Sequence, residues 1–353
     1  MSRFFSKKFK DLVPYVPGEQ PQERKYVKLN TNESPYPPSK KATEEAQAEA
    51  TRLQLYSDPT CGKLLGIAAE VFGVGKENLF PANGSDEALS FAFAAFGDKG
   101  VAFCDVTYGF YPIFARQNGV SYREIPLRDD FTTDVDAFVS APETVILANP
   151  NAPTGLTLTL AEIEKIVRAN AERVVIVDEA YADFGTESAI PLTKKYDNLL
   201  VTMTFSKSRS MAGARLGFAI GNEDLIGDLN TLKYSVNPYN VNRMSAAAGV
   251  GALSDEAYTK ANCAKIIATR EKTKKALAGL GFSGTDSKAN FLFIKHDKIG
   301  GKEMYERLKE KGVLIRHFET ARLADYNRVT VGSDEEMEIF IDKVREILEE
   351  KKR

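Results

Sequence analysis

The chemistry of this chain is densest around residues 204–215. An apolar run, Leu199-Leu-Val-Thr-Met203, ends in Thr204-Phe205-Ser206-Lys207, and Arg215 follows eight residues after Lys207. Two hydroxyls, an amine and a guanidinium in so short a stretch can hold a phosphate beside a reactive carbonyl. Arginine presents a fork of donors that matches phosphate geometry. A lysine amine with a lowered pKa condenses with an aldehyde to give a Schiff base. A lone lysine is ordinarily a solvated surface charge, so the reading rests on its neighbours.

Three further stretches carry matching chemistry. Val174-Val-Ile-Val177 runs into Asp178-Glu179-Ala180-Tyr181. A carboxylate directly after a buried strand sits at the carboxyl edge of a sheet, where open α/β sheets bind ligands; its ordinary alternative is a turn or helix cap. Ala82-Asn83-Gly84-Ser85-Asp86-Glu87 precedes a helical run to Phe96. Gly-Ser-Asp at a helix start offers free N–H groups and the positive dipole end to an anion, beyond a simple N-cap. Asn149-Pro150-Asn151-Ala152-Pro153-Thr154-Gly155 follows another apolar run. Prolines and a glycine there make a rigid turn, which can be held against a ligand.

The elements that would position these groups read as an α/β fold. Val101-Ala-Phe-Cys104, Thr144-Val-Ile-Leu-Ala148, Val174–Val177 and Leu199–Met203 are short continuous apolar runs. Such runs suit parallel strands buried on both faces, and helical patterns such as Leu160 to Ala169 lie between them. Before them stands a Pro-rich polar segment, residues 1–30, expected as an extended arm. Residues 31–250 form the expected large domain. Residues 251–353 are expected as a smaller α+β domain. It holds a long helix from Asp255 to Leu280, strands at Asn290–Ile294, Val313–Arg316 and Asn327–Val331, and helices near 301–311 and from Asp334.

Composition narrows the function classes. With 43% hydrophobic and 27% charged residues over 353 positions, the chain reads as a globular protein of about two domains. A net charge of −2 argues against general affinity for nucleic acid or anionic membrane. No apolar stretch reads as a signal peptide or a membrane span. Three cysteines, Cys61, Cys104 and Cys263, lie far apart, without metal spacing, and fit a reducing cytoplasm. Two histidines, His296 and His317, leave little for a His-based metal site or a Ser-His-Asp triad.

Taken together, the pattern Asn-Pro-x-x-Pro-Thr-Gly, then Asp-Glu-Ala-Tyr, then Ser-Lys with Arg215, resembles the fold-type I pyridoxal-phosphate aminotransferases. Further stretches resemble the histidinol-phosphate aminotransferase family: Asp11–Gly18 with Tyr15, Leu29-Asn-Thr-Asn32-Glu-Ser-Pro-Tyr36, Tyr56-Ser-Asp-Pro59, Thr107-Tyr108-Gly109-Phe-Tyr111, Gly312–Arg316 and Asn327–Gly332. The resemblance runs from the arm to the last strand. It implies a large domain with a mostly parallel seven-stranded sheet, a homodimer with shared active sites, and pyridoxal 5′-phosphate as cofactor.

By this resemblance Lys207 carries the cofactor as a Schiff base and Asp178 pairs with its pyridine nitrogen. Tyr181 donates to its phenolic oxygen and Tyr108 stacks on its ring. Gly84, Ser85, Asp86, Thr204, Ser206 and Arg215 hold its phosphate, with Tyr56 reaching in from the other subunit. Tyr15, Asn32, Arg316 and Arg328 face the substrate. Family members carry Asn where this chain has Ala152, and Asn151 is the candidate to take over its role. The implied reaction is transamination between L-histidinol phosphate and 2-oxoglutarate, in histidine biosynthesis. Rival readings are an aromatic amino-acid aminotransferase and a threonine-phosphate decarboxylase. A dinucleotide-binding oxidoreductase rests only on Gly73-Val-Gly75, which lacks the strand and third glycine of that motif. A non-catalytic regulator on this fold would need a nucleic-acid module, for which the arm is too short.

Overall fold

The structure is a computed structural model that describes residues 2–10 and 12–351. Met1, Asp11 of the arm motif, Lys352 and Arg353 lie outside the described residues.

All four apolar runs are strands of one seven-stranded sheet. Its order across the molecule is Leu79–Ala82, Gly217–Gly221, Leu199–Thr204, Val175–Asp178, Thr144–Ala148, Val101–Cys104 and Tyr122–Ile125. Gly217–Gly221 runs antiparallel to both its neighbours, and every other pairing is parallel. Successive residues of a strand point to opposite faces. Val145, Leu147, Val175, Val177, Leu199 and Val201 therefore pack into one apolar layer, while Ile146, Ile176 and Leu200 enter the layer on the other side. Both faces are covered, which is why the strands read as continuous apolar runs rather than alternating ones.

Helices supply those covers. Leu160–Ala169 is opened by a capping box in which Thr159 Oγ1 accepts from Glu162 N and Glu162 Oε2 accepts from Thr159 N. Ile163, Ile166 and Val167 form its buried stripe. Ser85–Phe96 buries Ala88, Leu89, Ala92 and Phe93 against the opposite face.

A second, four-stranded antiparallel sheet has the order Arg316–His317, Asn327–Thr330, Phe291–His296 and Phe282–Gly284. It packs with the helices Gly301–Glu310 and Asp334–Glu350 around Leu292, Val329, Phe340 and Val344. The 24-residue helix Glu256–Gly279 reaches toward the large sheet. Its buried Arg270 donates to the carbonyls of Phe184 at 2.9 Å and Ala289 at 2.8 Å.

The segment expected as an arm does not stay free to its end. Val27–Lys28 pairs in parallel with Val313–Leu314, and Leu29 is fully buried among Leu277, Val313 and Phe340. The chain thereby delivers Asn30 to Glu33 to the boundary between the two sheets.

Candidate active site

The carboxyl ends of the central strands converge on one cavity of about 180 Å³, walled by Ser85, Asp86, Asp178, Tyr181, Lys207 and Arg215 among others. A larger cavity of about 590 Å³ adjoins it and shares Tyr108, Ala152, Tyr181 and Lys207. Its far wall carries Tyr15, Arg316, Phe318 and Arg328.

Lys207 follows the strand Leu199–Thr204 and places Nζ 3.3 Å from the Thr31 carbonyl and 5.8 Å from the centre of the Tyr181 ring. No carboxylate pairs with it among the described residues. Burial, then the positive charge of Arg328, pulls its pKa down to about 8. A sizeable neutral fraction is therefore present near pH 8, which makes the amine a nucleophile and a proton acceptor.

Asp178 ends the neighbouring strand and is 4% exposed. Its Oδ2 accepts from the Tyr111 hydroxyl at 2.8 Å, and Oδ1 accepts from Ala180 N at 3.2 Å and Thr202 Oγ1 at 3.4 Å. All three partners are neutral. Burial outweighs those bonds and pushes the carboxyl up to about 6. A buried carboxylate without a cation is costly, and a protonated ring nitrogen would relieve that cost.

The anion-binding end is assembled from three strand or helix termini. Ser85–Phe96 opens with no side-chain cap, so its first N–H groups face outward. Gly84 has φ +81°, and a Cβ there would lie 2.5 Å from Arg215 Nη2. Gly217 is as constrained, since a Cβ would meet Ser85 N at 2.6 Å. Thr204 Oγ1 bonds Ser206 Oγ at 2.9 Å, and Arg215 lies 3.4 Å from Ser206 Oγ and 3.1 Å from Asp86 Oδ2. Asp86 also accepts from the Tyr108 hydroxyl at 2.8 Å, which sets that ring against the cavity.

On the far wall Arg328 donates from Nη2 to the Asn30 carbonyl at 3.1 Å, and among the described residues its buried Nε has no partner. Its guanidinium lies 5.4 Å from the Phe291 ring and 5.9 Å from that of Phe318. Among the described residues Arg316 makes only two long hydrogen bonds, to the carbonyls of Val16 at 3.4 Å and Pro17 at 3.5 Å. Tyr15 stacks on Phe110 with centroids 4.3 Å apart.

Two expected residues stand elsewhere. Asn151 is spent: its Oδ1 accepts from Thr107 Oγ1 at 2.7 Å, and its amide donates to Val106 O at 2.9 Å and Thr154 Oγ1 at 3.1 Å. Both amide hydrogens serve the loop, so Asn151 does not stand in for the amide that Ala152 lacks, and this corrects that expectation. Tyr56 is 78% exposed, stacks on Tyr239 and lies outside its own chain's cavity. Three contributors were not singled out from the sequence: Tyr111, Thr202 and Thr31. Tyr111 stood in the Thr107–Tyr111 motif without a role. Thr202 follows from strand pairing, because Thr202 lies opposite Asp178 in register.

The chain resembles known proteins along nearly its whole length. Residues 24–344 match the family model described as aminotransferase class I and II, and the chain belongs to that family. It is 49% identical to a histidinol-phosphate aminotransferase of Brachyspira hyodysenteriae over 99% of both chains. It is 45% identical to the protein of the same name from Clostridium acetobutylicum, over 99% of this chain and all of that one. Its fold matches histidinol-phosphate aminotransferase from Sinorhizobium meliloti, solved in complex with pyridoxal-5′-phosphate, with a TM-score of 0.88 and 23% identity over 98% of this chain and 99% of that one.

The site fits that cofactor on its own chemistry. A cation-less buried carboxylate, an amine of lowered pKa with no carboxylate partner among the described residues, and an uncapped helix start beside Arg215 are the three partners that a pyridinium, an aldehyde and a phosphate require.

Proposed function

We propose that this protein transfers the amino group of L-histidinol phosphate to 2-oxoglutarate, giving imidazole acetol phosphate and glutamate. The observation that carries the reading is a pair of guanidinium groups, Arg316 and Arg328, on the far wall of the cavity that Lys207 enters. Neither has a carboxylate partner among the described residues. One substrate brings a phosphate monoester and the other carboxylates, and a planar guanidinium accepts either anion.

Lys207 would hold pyridoxal 5′-phosphate, with Asp178 to meet its ring nitrogen, Tyr181 its phenolic oxygen, Tyr108 its ring, and Ser85, Asp86, Thr204, Ser206 and Arg215 its phosphate. When bound, that group supplies an electron-poor ring that takes up the charge left at the substrate Cα. Asp178 keeps the nitrogen proton in place by remaining ionised beside it. With the cofactor in place, Lys207 Nζ would accept the substrate Cα proton as a base and deliver it, as an acid, to the carbon on the other side of the amine nitrogen. Its lowered pKa suits both transfers near neutral pH. Arg328, with Arg316 and Tyr15, orients the anionic end so that Cα faces Nζ.

We also assign the active form to a homodimer in the cytoplasm. Leu53, Leu55, Tyr56, Tyr234, Val236 and Tyr239 are all exposed, and a second copy would cover them and bring Tyr56 to the partner's phosphate site. The three cysteines are free and buried, as a reducing compartment favours. Among the described residues no helix is long and apolar enough to cross a membrane.

The 45% and 49% identical relatives both carry the histidinol-phosphate name, which favours this donor over aromatic amino acids or threonine phosphate. Turnover of L-histidinol phosphate with 2-oxoglutarate, compared with phenylalanine and with CO₂ release from threonine phosphate, tests it. Faster turnover of either rival would overturn the assignment.

A further inference from the structure

Asn32 joins three parts of the molecule: the segment after the arm, the small sheet and the Lys207 cavity. It is 1% exposed and holds φ +56°, a left-handed conformation that asparagine tolerates better than most residues. Its carbonyl accepts from Asn290 Nδ2 at 3.0 Å, so the backbone is held in place.

Hydrogen-bond polarity follows from one fixed donor. The Asn32 backbone N–H donates to Thr330 Oγ1 at 2.9 Å. The Thr330 hydroxyl hydrogen must then go elsewhere, and Asn32 Oδ1 lies 3.0 Å away. The amide is thereby oriented, with its oxygen toward Thr330 and its Nδ2 toward Tyr181 Oη at 2.9 Å. The reversed amide would aim two donors at Thr330 Oγ1 and leave the buried Thr330 hydrogen without its acceptor, an unfavourable arrangement. Tyr181 Oη therefore accepts from Asn32, and its own hydrogen is free to point at the cavity. Ala152, where the family carries an amide, presents only a methyl to the same cavity.

We propose that Asn32, oriented by Thr330, is a positioning residue that makes Tyr181 a one-way donor into the cavity. Tyr181, assigned above to the cofactor's phenolic oxygen, then keeps its hydrogen for that atom at a site where Ala152 offers no second donor. This deepens the proposed function and rests on Lys207 holding the cofactor.

The consequence is spectroscopic. A donor at that oxygen favours loss of the proton shared between the oxygen and the lysine nitrogen, so losing the donor raises the pH at which the visible band of the holoenzyme titrates. Asn32→Gly keeps the left-handed backbone without the amide, and Thr330→Val removes the orienting hydroxyl. Both holoenzymes should titrate about one pH unit above wild type, the order expected for one hydrogen bond to a charged group. Thr330→Ser should titrate as wild type. In a Tyr181→Phe background, Asn32→Gly should give no further shift. An unchanged midpoint in both single variants would overturn the proposal, as would an equal further shift in the Tyr181→Phe background. The Lys207→Ala protein separates the two ideas: if it keeps the wild-type titrating band, the lysine assignment itself has failed.

Discussion

The two ends of the cavity are built differently. The cofactor end is made from the termini of the central strands and the start of the helix Ser85–Phe96, so its groups are carried by paired backbone. The far end is made from Tyr15 in the arm, Arg316 on a two-residue strand and Arg328 in the small sheet. At the first end the side chains are held by their neighbours: Asp178 by Tyr111, Ala180 and Thr202, and Arg215 by Asp86 and Ser206. At the second, among the described residues, Arg316 makes only long hydrogen bonds and Arg328 keeps a buried N–H without a partner. The near end is therefore pre-organised for one constant occupant. The far end leaves its charge uncommitted, as a site that must take two anions in turn requires.

The largest effect should come from the near end. Lys207→Ala should reduce turnover by on the order of 10⁴-fold or more, as loss of a nucleophile that also moves the proton does. The lysine-linked visible band should vanish with it. A variant that kept even a tenth of wild-type turnover would mean that the chemistry does not sit at the near end.

Asp178→Asn is the next step down, with a loss on the order of 10²–10³-fold in kcat, since one fixed charge opposite the reacting ring is removed. The same substitution has a second signature in the cofactor-free protein. Burial raises the Asp178 pKa above its unfolded value, to about 6. Its neutral form thus favours folding below about pH 4, and that contribution is lost as pH rises through 6. Cofactor-free Asp178→Asn should be more stable than cofactor-free wild type at pH 8, by about 1–3 kcal/mol, and the gap should close toward pH 4. Urea unfolding at the two pH values measures it. A variant less stable at pH 8 would mean that the carboxylate has a cation partner after all.

The ends also differ in how far they can be read from sequence. Asp178, Lys207 and Ser85 each follow or open an element whose apolar pattern is local, so their convergence follows from the rule that sheet ends gather ligands. The far end depends on pairings between distant segments. Val27–Lys28 meets Val313–Leu314 in a strand pair too short to leave a periodic signal. Asn32 is oriented by Thr330, 298 residues later. Tyr111 meets Asp178 because it opens the helix Tyr111–Asn118, which packs Phe114 and Ala115 into the layer beside the sheet, a placement its chain neighbours do not signal. Asn151 shows the opposite error: its type and position suited the cofactor, but the folded loop consumes its amide.

Arg328→Lys probes the far end. A lysine keeps the charge but loses the fork and the packing against the Phe291 and Phe318 rings. Turnover as kcat/KM should fall about 10²-fold with both substrates, mostly through KM. The charge of Arg328 is also the second cause of the low Lys207 pKa. In cofactor-free Arg328→Gln the Lys207 amine should therefore react more slowly with an aldehyde at pH 8, because a larger fraction stays protonated. An unchanged rate would uncouple the two ends.

Arg316 should show the smallest effect and the most selective one. It is half-buried at the cavity mouth and its two hydrogen bonds are long, so it contributes little to the fold and is free to meet a ligand. A partly solvated guanidinium facing a phosphate is screened, which limits its share of binding to about 1–2 kcal/mol. Arg316→Ala should thus lower kcat/KM for L-histidinol phosphate by roughly tenfold. The half-reaction with glutamate should stay within about twofold, because Arg328 alone can hold a carboxylate next to Cα. Single-turnover bleaching of the visible band by each amine reads the two half-reactions separately. If both fall equally, Arg316 serves the general anion site rather than the phosphate, and the far end discriminates by size and not by charge.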